Sequence, residues 1–227
     1  MDIRSIIKNI PVFAGLRDEI INKIIEYGST TTYYKNQMII KEGEESVDFC
    51  VVLEGSVRVS SITRDQREFI FTFINEGEHF GEISLMDGFP STANVIAAEE
   101  CRIYKIHRNE FYDLLSKFPE ITFKMLTTVN KRLREADQKI KNLTLNDAEE
   151  KVAATIIELA EKYGEKGIEG SLRIKKLPQQ RIMAKMAGVA RETISRQLHY
   201  FMENKFIKVQ SSSMSIFNYK KFRKKYD

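Results

Sequence analysis

Between Thr31 and Ile106 the apolar residues come in short runs, and glycines separate these runs at near-regular spacing. The runs are rich in β-branched and aromatic residues, as in the segments FCVVLEGSVRV and EFIFTFINEG. Many short strands divided by turn residues are typical of a β-sandwich or a β-barrel. On either side of this region the apolar period is that of a helix, which predicts helices at 4–10, 17–27 and 108–118.

The apolar period changes completely after Pro119. Apolar residues then recur at alternating spacings of three and four, which places them on one seam of a long helix: Leu126, Val129, Leu133, Ala136, Ile140 and Leu143. This is the pattern of a coiled coil. A stripe of two positions in seven is narrow for packing on the core of its own domain, so the pattern favours a parallel homodimer over an ordinary amphipathic helix.

From Asp147 onward the sequence predicts a second kind of domain. Asp147 and Glu150 form a D-x-x-E capping signature at the start of an amphipathic helix. After a loop and a short strand, helices at 179–187 and 191–203 are joined by a turn at Gly188, and the segments FIKVQ and MSIFN predict a hairpin. Two short helices followed by a hairpin are typical of a winged helix-turn-helix.

These patterns together predict an α+β protein with three parts. We expect a β-barrel domain at 1–118, a coiled-coil dimerisation helix and hinge at 119–146, and a winged helix-turn-helix DNA-binding domain at 147–227. A chain of 227 residues is long enough for two separate cores.

Charge is distributed unevenly along the chain. Residues 1–147 carry 19 Lys and Arg against 23 Asp and Glu, whereas residues 148–227 carry 17 against 9. A basic C-terminal part indicates an anionic polymer as its partner. The apolar runs are too short for a membrane helix, and the start MDIRSIIKN lacks the pattern of a secretory signal. We therefore expect a cytoplasmic protein that binds double-stranded DNA and no membrane.

Metal, cofactor and catalytic chemistry find little support in the sequence. Cys50 and Cys101 lie in apolar, strand-like segments without C-x-x-C spacing, and His79, His107 and His199 are scattered. No nucleophile-base pair, metal-ligand spacing or pair of carboxylates occurs in one local stretch. We expect buried, hydrophobe-like cysteines, no metal site, no bound cofactor, no catalytic residues and no enzyme activity.

The second helix of the predicted helix-turn-helix carries side chains suited to reading DNA. Ile194, Leu198, Phe201 and Met202 are spaced to face a core. The predicted DNA-binding residues lie in the first turns: Arg191, Glu192, Thr193, Ser195 and Arg196. Arg can bond O6 and N7 of guanine together, Glu can accept from N4 of cytosine, and hydroxyl groups can meet phosphates or base edges.

The segment GVARETISRQL resembles the recognition segment of the Crp/Fnr family of transcription regulators, in which R-E-T-x-[SG]-R is the reading motif. The resemblance extends through EGSVRV, GEHFGEISLMDG, the long helix and the C-terminal part. It implies that residues 1–118 are a sensor or effector domain, with a cyclic-nucleotide-binding-type barrel of the jelly-roll, or double-stranded β-helix, kind. It also implies palindromic DNA sites with half-sites akin to TGTGA. RNA polymerase is implied as a further partner. Ala190 departs from the family, which usually places Ser or Thr there as the N-cap.

The segment FGEISLMDGFPSTANV resembles the phosphate-binding cassette of the family, F-G-E-[LIS]-[AGS]-L followed by P-R-[ST]-A. In the family the Glu binds the ribose, backbone amides and a small hydroxyl residue bind the phosphate, and the Arg pairs with its charge. The resemblance assigns the corresponding positions of a degenerate cassette here: Gly81, Glu82, Ile83, Ser84, Ser91 and Thr92. Ser91 stands at the position of the family Arg.

Two departures argue against cyclic AMP as the effector. Loss of the Arg removes a charge-assisted hydrogen bond worth roughly 1.5–3 kcal/mol. The adenine-contacting Thr-Ser pair of the cyclic-AMP receptor protein aligns with Ala136 and Asp137. Alternatively, Arg102 or Arg67 supplies the missing charge and the protein responds to a cyclic nucleotide. A regulatory module that does not bind DNA is a further alternative, against which the complete reading motif argues. The identity of the effector is left open.

Overall fold

The computed structural model describes residues 3–145, 147–167 and 170–226, with the side chains of the first range up to residue 141. The chain divides into two compact units, Met1–Arg134 and Glu135–Asp227. This division falls within the longest helix, Pro119–Leu145. Among the described residues, no helix combines the length and the apolar character needed to cross a membrane.

The first unit contains two antiparallel sheets of four strands and a set of flanking helices. Its strands are β1 Gly28–Tyr33, β2 Met38–Ile40, β3 Asp48–Glu54, β4 Ser56–Ile62, β5 Glu68–Asn75, β6 His79–Phe80, β7 Asn94–Ala97 and β8 Cys101–His107. Its helices are α1 Ile3–Asn9, α2 Asp18–Tyr27, α3 Glu82–Asp87, α4 Arg108–Lys117 and the first part of α5 Pro119–Leu145. The sheets have the strand orders β1-β8-β3-β6 and β2-β7-β4-β5.

Strand β3 is buried on both faces, which explains its continuous apolar run FCVVL. Phe49, Val51 and Leu53 pack into a core shared with helices α1, α2 and α4. Cys50 and Val52 point the opposite way, into the core between the two sheets, as the period of two in a strand requires. Both cysteines are buried, as predicted, and burial raises the pKa of the Cys50 thiol to about 12.

The second unit is a helix-turn-helix domain with a small four-stranded sheet. Its elements are α6 Ala148–Tyr163, β9 Gly164–Lys166, β10 Leu172–Ile174, α7 Gln180–Ala187, α8 Arg191–Glu203, β11 Ile207–Gln210, β12 Ser213–Ile216 and α9 Tyr219–Tyr226. The strand order is β11-β12-β10-β9. The predicted α+β class, with an N-terminal sheet domain, a long helix and a C-terminal helix-turn-helix, is confirmed.

Local signals in the sequence set the ends of two helices in this unit. Asp147 accepts a hydrogen bond from the backbone of Glu150 at 2.9 Å, and the Glu150 side chain accepts one from the backbone of Asp147 at 3.2 Å, so the predicted capping box is present. Gly188 ends α7 in the left-handed region, with φ of 64°. A side chain there would be strained, which is why the tight turn before α8 uses glycine.

Several features differ from the sequence-based expectation. The cassette segment contains a short helix, α3, which was not predicted. Strand β9 and helix α9 were not predicted. Met202 was predicted to face the core but is 37% exposed, because the buried face of α8 is completed by Ile194, Leu198 and Phe201.

Candidate DNA-reading and effector sites

Helix α8 presents its first turns to solvent and buries its opposite side. Ile194, Leu198 and Phe201 are buried in the second unit. The polar residues of the motif lie on the accessible side: Arg191, Glu192, Ser195 and Arg196 are exposed, and Thr193 is half-buried. This geometry leaves two guanidinium groups, one carboxylate and one hydroxyl available to a DNA groove.

The N-terminus of α8 has no side-chain cap. Ala190 occupies the N-cap position with extended backbone (φ −70°, ψ 152°) and forms no capping hydrogen bond. Its carbonyl group accepts from the amides of Thr193 and Ile194 at 3.1 and 3.2 Å. An uncapped helix start leaves other first-turn amides without a helical partner, and phosphate oxygens are suitable acceptors for such amides.

The cassette residues surround helix α3. Gly81 precedes this helix with φ of 88°, and a Cβ atom there would lie 2.5 Å from the carbonyl oxygen of Asp48. Gly81 is therefore required both by its backbone conformation and by a close approach. Ile83 and Thr92 are exposed, whereas Glu82 and Ser84 are buried.

Ser91, at the position of the family Arg, is only 8% exposed. Its hydroxyl oxygen lies 3.2 Å from that of Ser84. Its backbone amide donates to the carbonyl group of Glu44 at 2.9 Å, and its own carbonyl group accepts from Gly43 at 2.8 Å. Ser91 thus connects the cassette to the loop that contains Gly43 and Glu44. Its side chain contributes a hydroxyl group and no charge to the cassette.

A cation nevertheless reaches the cassette from the long helix. Arg132 of α5 donates from Nη1 to Oε1 of Glu82 at 2.6 Å and from Nη2 to the carbonyl oxygen of His79. Glu82 is 1% exposed, and its Oε2 atom has no hydrogen-bond partner among the described residues. Arg132 therefore compensates the charge of a buried carboxylate that keeps one acceptor oxygen unused.

His79 lies beside this ion pair, against the ring of Phe49 at a centroid distance of 5.3 Å. It is 3% exposed, and its Nε2 atom has no partner in the described part of the chain. Burial, assisted by the positive charge of Arg132, lowers the pKa of His79 to about 3. The imidazole is therefore neutral at physiological pH.

The two arginines that the sequence offered as substitutes for the missing cassette charge are engaged elsewhere. Arg102 pairs with Glu54 at 3.3 Å, and Arg67 pairs with Asp65 at 2.8 Å. The ion pair of Arg132 with the cassette was not predicted. The only indication of it in the sequence is that Arg132 lies next to Leu133 of the predicted seam. A cation beside a seam must point either toward a partner helix or toward its own domain, and here it points toward Glu82.

The apolar seam of α5 is largely exposed in the single chain. Leu126, Leu133 and Ile140 are 55%, 59% and 61% exposed. Ala136 is also exposed and Val129 is half-buried, while the side chain of Leu143 lies outside the described residues. Such a row of exposed apolar side chains on one helix face marks an interaction surface.

No cluster of three or more His, Cys, Asp or Glu side chains that could hold a metal ion occurs within residues 3–141, 147–167 and 170–226. Three candidate sites remain in the described part of the chain. They are the exposed first turns of α8, here called the reading face, the cassette with Arg132, and the seam of α5.

Comparison with known proteins assigns both units. A family model described as a cyclic nucleotide-binding domain matches residues 30–118, and one described as a Crp-like helix-turn-helix domain matches residues 150–225. The chain is 25% identical over 206 residues to a CRP-like cAMP-activated global transcriptional regulator of Mycobacterium tuberculosis, covering 90% of this chain and 91% of the relative.

Two further proteins show the same likeness over nearly their full length. The cyclic AMP receptor protein of Thermus thermophilus is 25% identical over 209 residues, covering 92% of this chain and 93% of the relative. Among solved structures, a variant of CooA from Carboxydothermus hydrogenoformans has a TM-score of 0.79 at 19% identity, covering 90% of each chain. The last of these shows the fold alone.

Proposed function

Because the chain belongs to the Crp/Fnr family of DNA-binding transcription regulators, we propose that it acts as a homodimer and binds a palindromic DNA site through two copies of α8. The observation that carries this proposal is that four polar residues of the R-E-T-I-S-R segment, Arg191, Glu192, Ser195 and Arg196, are exposed on the first turns of a helix whose opposite side is buried. Residues 1–118 serve as the sensor part, 119–146 as the dimerisation helix and hinge, and 147–227 as the DNA-binding part.

The dimer is supported by the exposed seam. Leu126, Leu133 and Ile140 recur every seven residues and are each more than half exposed in one chain. A second copy of α5 laid against this seam would remove them from water and supply the knobs-into-holes packing that an a/d pattern provides. In a two-fold dimer of this kind the two recognition helices bind half-sites about 34–36 Å apart, one turn of DNA, and the two-fold symmetry of the protein makes the target palindromic.

Base reading is assigned to the exposed face of α8. Arg191 and Arg196 suit bidentate contacts to guanine, and Glu192 suits cytosine. An arginine and a glutamate together can therefore read both bases of a G·C pair in a TGTGA-like half-site. Thr193 and Ser195 suit phosphate oxygens or base edges. The uncapped start at Ala190 gives phosphate oxygens access to the first amides of the helix.

Cyclic AMP is proposed not to control this protein, although relatives are described as activated by it. Ser91 brings a neutral hydroxyl group to the place of a phosphate-binding cation and uses it toward Ser84. Arg132 is committed to Glu82, so the two charges compensate each other. A cyclic phosphate would have to disrupt this ion pair to find a cation, and Ala136 offers no hydrogen bond to a base.

A second candidate is favoured by one observation, the proximity of Arg132 to the cassette. A cyclic nucleotide whose ribose hydroxyl donates to the free Oε2 of Glu82 could draw on Arg132 for its phosphate charge. In that case the protein is a cyclic-nucleotide-responsive regulator in which Arg132 replaces the missing cassette Arg. RNA polymerase is proposed as a further partner in either case, since the relative from Mycobacterium tuberculosis is a global transcriptional regulator.

A selection from random duplex DNA, run with and without cyclic AMP and cyclic GMP, tests both proposals. We expect two-fold-related, TGTGA-like half-sites that are enriched equally in all arms, and calorimetry that shows no micromolar binding of either nucleotide. Nucleotide-dependent enrichment together with micromolar binding that Arg132→Met abolishes would establish the second candidate instead. Recovery of no preferred sequence in any arm would refute the DNA-reading role.

A further inference from the structure

A lysine of the long helix α5 is drawn into the DNA-binding unit. Residues 135–141 are the part of α5 that belongs to the second unit and whose side chains the structure describes. Within this segment Lys139 alone is not exposed, and its side chain is 18% exposed. Lys139 precedes Ile140 of the seam by one position, about 100° around the helix. It therefore points away from the seam and toward its own chain.

The partner of this lysine is Glu158 of α6. Nζ of Lys139 lies 3.5 Å from Oε2 of Glu158. Burial lowers the pKa of Lys139 below its ordinary value, although the charge of Glu158 acts in the opposite direction. An ammonium group withdrawn from water is costly unless it is paired. The position of α6 on α5 in which this pair forms is therefore favoured over neighbouring positions in which it does not.

Lys139 also reaches the start of the helix-turn-helix. It lines a cavity of about 20 Å³, room for one water molecule, together with Ala154 and Thr155 of α6 and Met186 and Ala187 of α7. Met186 and Ala187 are buried and are the last two residues of α7. Three residues separate α7 from α8. Lys139 thus meets the two helices on which the recognition helix is supported.

We propose that Lys139 is a positioning residue that sets the orientation of α8 with respect to the two-fold axis of the dimer, and thereby the separation of half-sites that the dimer accepts. This inference rests on the proposed function and deepens it. The seam places α5 against its copy, and the pair with Glu158 places α6 against α5. Helix α6 packs directly against α7 and α8, so the orientation of α8 follows from these two joints.

The chemistry of this joint favours a role in orientation over one in stability. Apolar contacts are non-directional, whereas a hydrogen-bonded ion pair requires one distance and one angle. Replacement of a buried ion pair by apolar side chains of similar volume is often neutral or stabilising. Orientation matters for a DNA-binding dimer because one added base pair moves the second half-site by about 3.4 Å and turns it by about 35°.

The test measures affinity for palindromes in which the two selected half-sites lie at the selected separation or one or two base pairs closer or farther apart. The spacing penalty is the ratio of the dissociation constants on the altered and the selected separation. For the wild type, one inserted base pair should give a penalty of at least about fivefold, which corresponds to the loss of one bidentate base contact.

The variants remove the ion pair and keep the volume of the side chains. Lys139→Met and Glu158→Gln should each lower the spacing penalty, and the double variant should match the single ones because both act on one pair. Affinity for a duplex with a single half-site should stay at the wild-type value, because the reading face is untouched. Lys141→Met, which removes an exposed lysine of the same helix, is the matched control and should keep the wild-type penalty.

The outcomes separate this inference from the proposed function. If Lys139→Met and Glu158→Gln keep the wild-type spacing penalty, or if the wild type itself binds all separations equally, the inference is overturned while the proposed function stands. A smaller penalty that appears only together with weaker dimerisation or a lower temperature of thermal unfolding makes Lys139 a structural residue and likewise overturns the inference. Failure of the wild type to bind any palindrome would refute the proposed function itself.

Discussion

Truncation of two seam residues, Leu133→Ala together with Ile140→Ala, should convert the proposed dimer into monomers. Both side chains project from α5 and are 59% and 61% exposed in a single chain. Alanine keeps the helix because it has the highest helix propensity. The substitutions therefore remove apolar surface from the seam without breaking the element that carries it.

The expected magnitude follows from the exposed fractions. Burying a whole Leu or Ile side chain contributes about 1.5–3 kcal/mol, so the three fifths still exposed here are worth roughly 1–2 kcal/mol each. A dimer contains four such side chains, which gives roughly 4–7 kcal/mol of association free energy. Since 1.4 kcal/mol is a factor of ten, the dissociation constant should rise by about three to five orders of magnitude.

Sedimentation equilibrium or light scattering across a range of protein concentrations measures this constant. The matched control is Lys131→Ala together with Gln138→Ala, two exposed positions on the same helix that lie away from the seam. The control should dimerise like the wild type, and circular dichroism should show equal helix content in all three proteins. If the seam variant keeps the wild-type dissociation constant, α5 is not the dimer interface and the a/d reading is wrong.

Three other changes test separate parts of the molecule. Arg196→Ala should weaken the free energy of binding to the selected site by about 1–3 kcal/mol and change binding to unrelated duplexes little. Fluorescence anisotropy with both kinds of duplex measures the two affinities. An equal loss of affinity on both would contradict base reading by Arg196. Arg132→Met should lower the free energy of unfolding by about 3–5 kcal/mol, because it leaves the buried carboxylate of Glu82 without its counter-charge. Denaturant titration measures this loss, and the double variant with Glu82→Gln should recover most of it. If the double variant is as unstable as Arg132→Met alone, the buried carboxylate is not the cause. The pKa of His79 is about 3 in the folded protein against 6.5 for a free side chain. Between these pH values the unfolded chain binds one more proton than the folded chain, so the free energy of unfolding should fall by roughly 2–3 kcal/mol from pH 6 to pH 4. His79→Gln should remove this contribution, and an unchanged dependence of stability on pH would show that His79 is not its source.

Elements with strong local signals could be predicted from the sequence. Helix α8 begins at Arg191 and ends at Glu203 as predicted, because Gly188 fixes the turn before it and the apolar spacing defines its buried face. The capping box at Asp147 and Glu150 was equally visible, since both of its hydrogen bonds join residues three apart. Contacts between residues a few positions apart in the chain can be predicted from the spacing of residue types alone.

Features that depend on distant contacts could not be predicted. Arg132 and Glu82 are 50 residues apart, and nothing in the spacing of either says that they meet. Helix α9 was missed because its polar residues outnumber the two aromatic side chains that attach it to Phe201. The short helix α3 lies between two left-handed glycines, Gly81 and Gly88, whose turn signals conceal the helical residues between them.

The ion pair of Arg132 joins the cassette to the helix that carries the proposed dimer seam. A ligand that competes for Glu82 must act on the same segment of α5 that a second copy would contact. By thermodynamic linkage, a ligand that strengthens dimerisation by a given factor must itself bind the dimer more tightly by that factor. The apparent affinity of an effector that changes dimerisation should therefore depend on protein concentration, and effector screens on dilute samples would underestimate ligands that favour the dimer.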